Sequence, residues 1–94
     1  MNHKFLIHTP SDNVGVAVKD IAKGEKVLGV VIEDKNITVE VEAKDDIPIG
    51  HKISLKPIKS GELVVKYGIP IGVATRNISS GEHVHTHNLK SRRW

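Results

Sequence analysis

Ile21-Ala22-Lys23-Gly24-Glu25-Lys26-Val27 returns as Ile58-Lys59-Ser60-Gly61-Glu62-Leu63-Val64 and as Ile78-Ser79-Ser80-Gly81-Glu82-His83-Val84, with a looser copy at Ile47-Pro48-Ile49-Gly50-His51-Lys52-Ile53. The starts lie 26, 11 and 20 residues apart, so the repeat is a reused local turn rather than a solenoid of fixed period. In each copy an apolar residue points inward and two residues open a turn. Glycine then takes a φ > 0 position that other residues enter only with strain. A polar residue leaves the turn and a β-branched residue returns to the core. Each copy is therefore a corner, and several corners in 94 residues suit a compact barrel of short strands.

Outward from the corners the chain alternates. Val14-Gly15-Val16-Ala17-Val18 and Ile37-Thr38-Val39-Glu40-Val41 have period two, as strands with one buried face require. Asp34-Lys35-Asn36 divides Val30–Ile32 from Ile37–Val41 and reads as a hairpin turn. No stretch carries a strong 3.6-residue period, so the regions 21–26 and 58–62 hold at most a single helical turn. Twelve Val and eleven Ile against five Leu agree, because side chains stiff at χ1 fit a pleated sheet. The fold class expected is all-β.

At this length the chain is one domain, residues 1–94, with 90–94 a basic C-terminal tail. Little material is left to wall a deep pocket, so a complete active site for a difficult reaction is not expected within it. The net charge of +3 is mild, and the chain has one Phe, one Tyr and one Trp. A dense basic stripe with aromatic platforms is missing, so nucleic acid is not the expected partner; an anionic small molecule or an acidic protein is. Without cysteine there is no disulfide framework and no thiolate metal site. No apolar run reaches the ~20 residues of a membrane span, and the N-terminus has no signal-peptide core. A cytoplasmic location is the expectation.

Three segments carry chemistry. In Gly81-Glu82-His83-Val84-His85-Thr86-His87-Asn88, an extended backbone would put His83, His85 and His87 on one side. Such a row can meet a metal ion or an anionic substrate, or act as acid and base near neutral pH; it can equally be a solvated polar face. In Ile49-Gly50-His51-Lys52-Ile53, His51 and Lys52 leave a sharp turn on opposite faces, an arrangement that an ordinary basic turn also gives. In Lys66-Tyr67-Gly68-Ile69-Pro70-Ile71-Gly72 two glycines mark bends, Tyr67 offers a hydroxyl at a rim, and Lys66 offers a cation for a carboxylate.

Taken in order, Asp12-Asn13-Val14-Gly15-Val16-Ala17, Ile47 through Leu55, Val65 through Gly72 and Gly81 through Asn88 resemble the SAF-type domain of the altronate and galactarate dehydratase family. This family includes the small subunit of sulfolactate sulfo-lyase. The resemblance covers nearly the whole chain and implies a β-clip fold, like that of type III antifreeze proteins. It implies a lyase that removes water from an aldonic acid, with a large catalytic subunit as a separate polypeptide. The alternatives are elimination of sulfite from sulfolactate, or a β-clip module that binds sugar acids or partners without chemistry. The family's divalent metal, Fe2+ or Mn2+, would be held mostly by the large subunit.

By motif match His51, His83, His85 and His87 are the expected catalytic residues. His83, His85 and His87 are the expected metal ligands from this chain, and Lys52, Lys66, Tyr67 and Asn88 the substrate contacts. The triple-histidine run directs the reading to the altronate or sulfolactate branch. Arg92-Arg93-Trp94 is a candidate docking element for the partner, and a homo-oligomer stays open.

Overall fold

A computed structural model describes residues 3–91 and contains nine short strands, with no helix among the described residues. They are β1 (Phe5–Ile7), β2 (Val14–Ala17), β3 (Lys26–Val31), β4 (Thr38–Glu42), β5 (Lys52–Ser54), β6 (Leu63–Lys66), β7 (Ile69–Ala74), β8 (His83–Val84) and β9 (Leu89–Ser91). The curled sheet β4-β3-β1-β2-β5-β8 is closed over by the three-stranded sheet β6-β7-β9, which is the all-strand β-clip expected from the resemblance. The single helical turns allowed at 21–26 and 58–62 are β-turns instead.

Alternation decides which face each strand buries. Along β3 every second residue, Val27, Gly29 and Val31, is buried, and the hairpin to β4 pairs Val27 with Val41 and Val30 with Thr38. β1 lies parallel to β3 and antiparallel to β2, and its Phe5 is fully buried. Gly15 and Gly29 make room for that ring, since a Cβ on either would collide with it. The strands enclose two apolar clusters. One gathers Phe5, Ile7, Val27, Val31, Ile47 and Ile53. The other gathers Val14, Ile58, Val64, Ala74, Ile78 and Val84 between the two sheets.

The four corners are arranged as two pairs. Ile21 bridges Ile47, and Ile58 bridges Ile78. Gly24, Gly50, Gly61 and Gly81 all have φ near +90° (91°, 87°, 88° and 87°), the conformation the repeat demanded. Their amides donate to Ala43, Ala17, Ala74 and Ser54 carbonyls, each at 2.8 Å. In three corners the following glutamate folds back and accepts the turn's first N–H: Ala22 to Glu25 at 2.7 Å, Lys59 to Glu62 at 2.6 Å and Ser79 to Glu82 at 2.8 Å. The fourth corner breaks that rule, and the site is built there.

The expected basic tail begins inside the fold, because Lys90 and Ser91 pair with Val73 and Gly72 as part of β9. Arg92, Arg93 and Trp94, the proposed docking element, lie outside the described residues.

Candidate functional site

Pro48 has no N–H, so the corner at Gly50 offers no donor of the kind the glutamates cap elsewhere. His51 stands where the other corners place Glu25, Glu62 and Glu82, and its side chain is released from the turn. It projects beside β8. The antiparallel register pairs Lys52 with Val84 and Ile53 with His83, which sets His51 across from His85. The His51 and His85 ring centroids are 4.4 Å apart, and His51 Nδ1 lies 2.8 Å from His83 Nε2. One of those two nitrogens must donate and the other accept, so at most one of the pair carries a charge.

The strand expected to continue to His87 stops at Val84, which corrects the extended reading. Asn88 is the cause. Fully buried, it accepts the His85 N–H through Oδ1 at 3.0 Å and donates from Nδ2 to the His83 carbonyl at 2.8 Å. This closes a tight turn over 85–88. The turn swings His87 back against His83, with centroids 5.3 Å apart. The nitrogens that converge, all within 4.8 Å of one another, belong to His51, His83 and His85. The expected metal set of His83, His85 and His87 is thereby altered: His51 enters from the neighbouring strand, and His87 packs beside the group. Asp45 anchors the row from below, accepting the His83 N–H at 3.0 Å.

Electrostatics disfavours the protonated forms of His83 and His85. Burial lowers the His83 pKa below its ordinary 6.5, and repulsion from His51, His87 and His85 adds to this against the pull of Asp45. Partial desolvation, then His51, Lys52 and His87, lower His85 in the same direction. Neutral imidazoles are the form that ligates metals and accepts protons. Three converging ring nitrogens make a donor set that fits a borderline divalent ion such as Fe2+ better than Mn2+, which favours oxygen. The arrangement can therefore hold such an ion by one face, or relay a proton along the His51–His83 pair.

The expected substrate contacts fall into two places. Lys52 leaves β5 on the side opposite His51; burial first, and the charge of Lys66 second, lower its pKa. Its charge is one of the lesser causes that lower the His85 pKa. Lys66 holds its ammonium 4.9 Å from the centre of the Tyr67 ring. Asn88 touches no solvent and positions the histidines. His8 was missed by sequence reasoning: its ring stacks on Tyr67 with centroids 3.4 Å apart. Nothing local marks a single histidine after Phe5–Ile7, because its partner is more than fifty residues away.

The cluster lies open. His85 and His87 are exposed, and recesses of about 430 Å³ beside Ile21 and Ile47 and about 510 Å³ beside Leu6 and Ile32 are lined by none of the clustered histidines. Among the described residues no helix is long and apolar enough to cross a membrane.

Residues 3–92 match the altronate/galactarate dehydratase SAF domain. The chain is 39% identical over its full length, and the full length of the relative, to (2R)-sulfolactate sulfo-lyase subunit alpha of Chromohalobacter salexigens. It is 47% identical to the Paracoccus pantotrophus protein of the same name over 64 residues, covering 68% of this chain and 96% of that one. To altronate dehydratase of Bacillus subtilis it is 49% identical over 87 residues, 93% of this chain but 16% of the relative, so it spans about a sixth of that enzyme.

Proposed function

The chain belongs to the altronate/galactarate dehydratase SAF-domain family, and from that premise we propose that it is the small subunit of a metal-dependent lyase that eliminates water from an aldonic acid such as altronate, in company with a large catalytic subunit. The observation that carries this reading is the open cluster of His51, His83 and His85 at the edge of β5 and β8. Three converging imidazoles, two half-buried and one exposed, make half of a site. They need a second surface to exclude water and to hold the substrate.

The reaction breaks a C–H bond next to a carboxylate and a C–O bond on the neighbouring carbon. A base takes the proton, the electron pair becomes the new C=C bond, and the hydroxyl leaves with a proton as water; the enol then becomes the keto acid. A divalent ion held here would supply Lewis acidity toward the carboxylate and the leaving oxygen. His51, His83 and His85 would hold it from this side. His87, exposed and beside His83, would exchange a proton with the substrate. Lys52, Lys66 and Tyr67 would contact the substrate carboxylate.

A second reading has its own support. The full-length match to a protein named subunit alpha of sulfolactate sulfo-lyase favours sulfite as the leaving group and sulfolactate as the substrate. The same proton is removed, and the C–S bond breaks in place of C–O.

The test is reconstitution with the large subunit, following keto-acid formation from altronate and sulfite release from (2R)-sulfolactate. Turnover of either by the mixture, with neither protein active alone, is the expected result, and the substrate consumed chooses between the two eliminations. Full activity in the isolated small chain would reject the reading. Intact turnover after His51, His83 and His85 are all replaced by Ala would reject the site.

A further inference from the structure

The group around Tyr67 has its own architecture. Tyr67 has φ of +60°, the left-handed region that a bulky residue enters only under constraint, although Gly68 stands next to it with φ of +70°. The constraint is Asp12. Its Oδ2 accepts the Tyr67 N–H at 3.0 Å, its Oδ1 accepts the Gly68 N–H at 2.8 Å, and Thr9 Oγ1 donates to it at 2.8 Å. Asp12 is buried, and next to it Asn13 clamps β6 through the Leu63 carbonyl and the Val65 N–H. This holding serves no core. Tyr67 is 53% exposed. What the clamp does is hold the tyrosine ring against His8 and beneath Lys66.

Charge is unbalanced in the same place. Among the described residues the one ion pair within 4 Å joins Lys4 to Glu25, far along the chain from Lys66. Asp12 is the nearby carboxylate, and its two oxygens are taken up by backbone and Thr9. Lys66 instead lies over the Tyr67 ring, its ammonium 4.9 Å from the centroid, with no carboxylate of the described residues within ion-pair distance. An ammonium, an imidazole and a phenol thus meet beside a single carboxylate whose oxygens are already occupied.

We infer that His8, Lys66 and Tyr67 form an anion-binding subsite distinct from the histidine cluster, built to take a carboxylate or sulfonate group. The imidazole N–H and the phenol O–H supply directed donors, and the ammonium supplies charge. Asp12 is a positioning residue: it touches backbone and sets the tyrosine. The identity of the ligand as the substrate's acid group rests on the proposed lyase function, whereas the existence of the subsite does not.

The test is NMR on the full, metal-free chain, titrated with methanesulfonate and with acetate. Saturable shifts of the His8 ring and of the Tyr67 and Gly68 amides are expected with at least one probe, and the tighter probe identifies which acid group fits. Lys66→Met and His8→Ala should each weaken binding about tenfold, as loss of one charge-assisted hydrogen bond implies. Asp12→Asn should weaken it while the spectrum elsewhere keeps the native pattern. Shifts that grow linearly without saturation, shifts confined to His51, His83 and His85, or unchanged affinity in Lys66→Met would each overturn the subsite. Binding here with an inert reconstituted enzyme would count against the proposed lyase and leave the subsite standing. Turnover without binding here would do the reverse.

Discussion

The corners at Gly24 and Gly50 face each other across the Ile21–Ile47 bridge with matching backbones. In both, glycine takes a φ near +90° and its amide donates at 2.8 Å to a carbonyl four residues before the opposite isoleucine. In one, Glu25 caps the Ala22 N–H and pairs with Lys4. In the other, Pro48 has removed the N–H and His51 reaches out to His83. The same turn is a closed structural joint in the first case and an edge that carries a histidine into the cluster in the second. What converts one into the other is a pair of changes three residues apart: a lost donor and a freed side chain. The side chain freed from its structural task is the one that joins the cluster.

The strongest way to break the comparison is to show that the corners are not interchangeable backbones at all. Gly24, Gly50 and Gly61 face open space, but a Cβ on Gly81 would sit on the Glu42 carbonyl oxygen. Gly50→Ala should therefore cost about 1–2 kcal/mol, the strain of a positive φ alone. Gly81→Ala should cost about 3 kcal/mol or more, because overpacking against backbone adds to that strain. Urea unfolding midpoints of the two variants measure the gap. Equal losses would mean that the β4 edge yields freely, and that the corner carrying His83 is held no more tightly than the others.

A second test separates structure from chemistry. Glu25→Ala and His51→Ala remove the same position of the repeat. In the reconstituted enzyme His51→Ala should lower kcat by about a hundredfold or more, the range expected for loss of a proton-transfer or ligating group. Glu25→Ala should leave kcat unchanged and shift only stability. A parallel loss in both would make His51 a turn residue and empty the comparison of meaning.

How much of this was legible follows from the range of each interaction. The corners were readable because glycine, the flanking isoleucine and the exit residue lie within a few positions, and the departure at Pro48 and His51 could be seen as a broken repeat. The hairpin between β3 and β4 was readable for the same reason. The turn over 85–88 was not. His83, His85 and His87 alternate like a strand, and only the burial of Asn88, which depends on Val84 and Leu89 packing between the sheets, makes that amide fold the backbone back. The meeting of His8 with Tyr67 was likewise invisible, being set by Asp12 and Asn13 gripping β6 from more than fifty residues away.

That grip gives an acid-sensitive contrast with the corners. Burial alone would raise the Asp12 pKa, but the Gly68 N–H, the Thr9 hydroxyl and the Tyr67 and Thr9 N–H groups outweigh it and hold the carboxyl below its ordinary 3.8. A depressed folded-state pKa means the unfolded chain binds the proton more readily. The contribution is thus fully present above the ordinary carboxylate range and is lost as pH falls through the folded value. Asp12→Asn should lower stability at neutral pH and flatten the decline below about pH 4. Thermal melts of both proteins between pH 3 and pH 7, as a range of about four units, check the sign; parallel curves would release Asp12 from the role of clamp.

The smallest effect expected is also the most direct reversal of the comparison. Pro48→Ala restores an N–H at the first position of the corner, and His51→Glu restores the carboxylate that would accept it. Together they should reproduce the bond seen from Ala22 to Glu25 and from Lys59 to Glu62. One exposed hydrogen bond is worth about 1 kcal/mol or less net, and Pro48→Ala returns some freedom to the unfolded chain, so stability should change by only a few tenths of a kcal/mol. His51→Glu alone places a carboxylate where no donor waits and should be less stable than the double variant. The excess of the double variant over the sum of the singles is the capping bond itself, read from a double-mutant cycle in urea. A cycle that closes to zero would mean that Pro48 did not free His51, and that the histidine reaches β8 for a reason other than the missing donor.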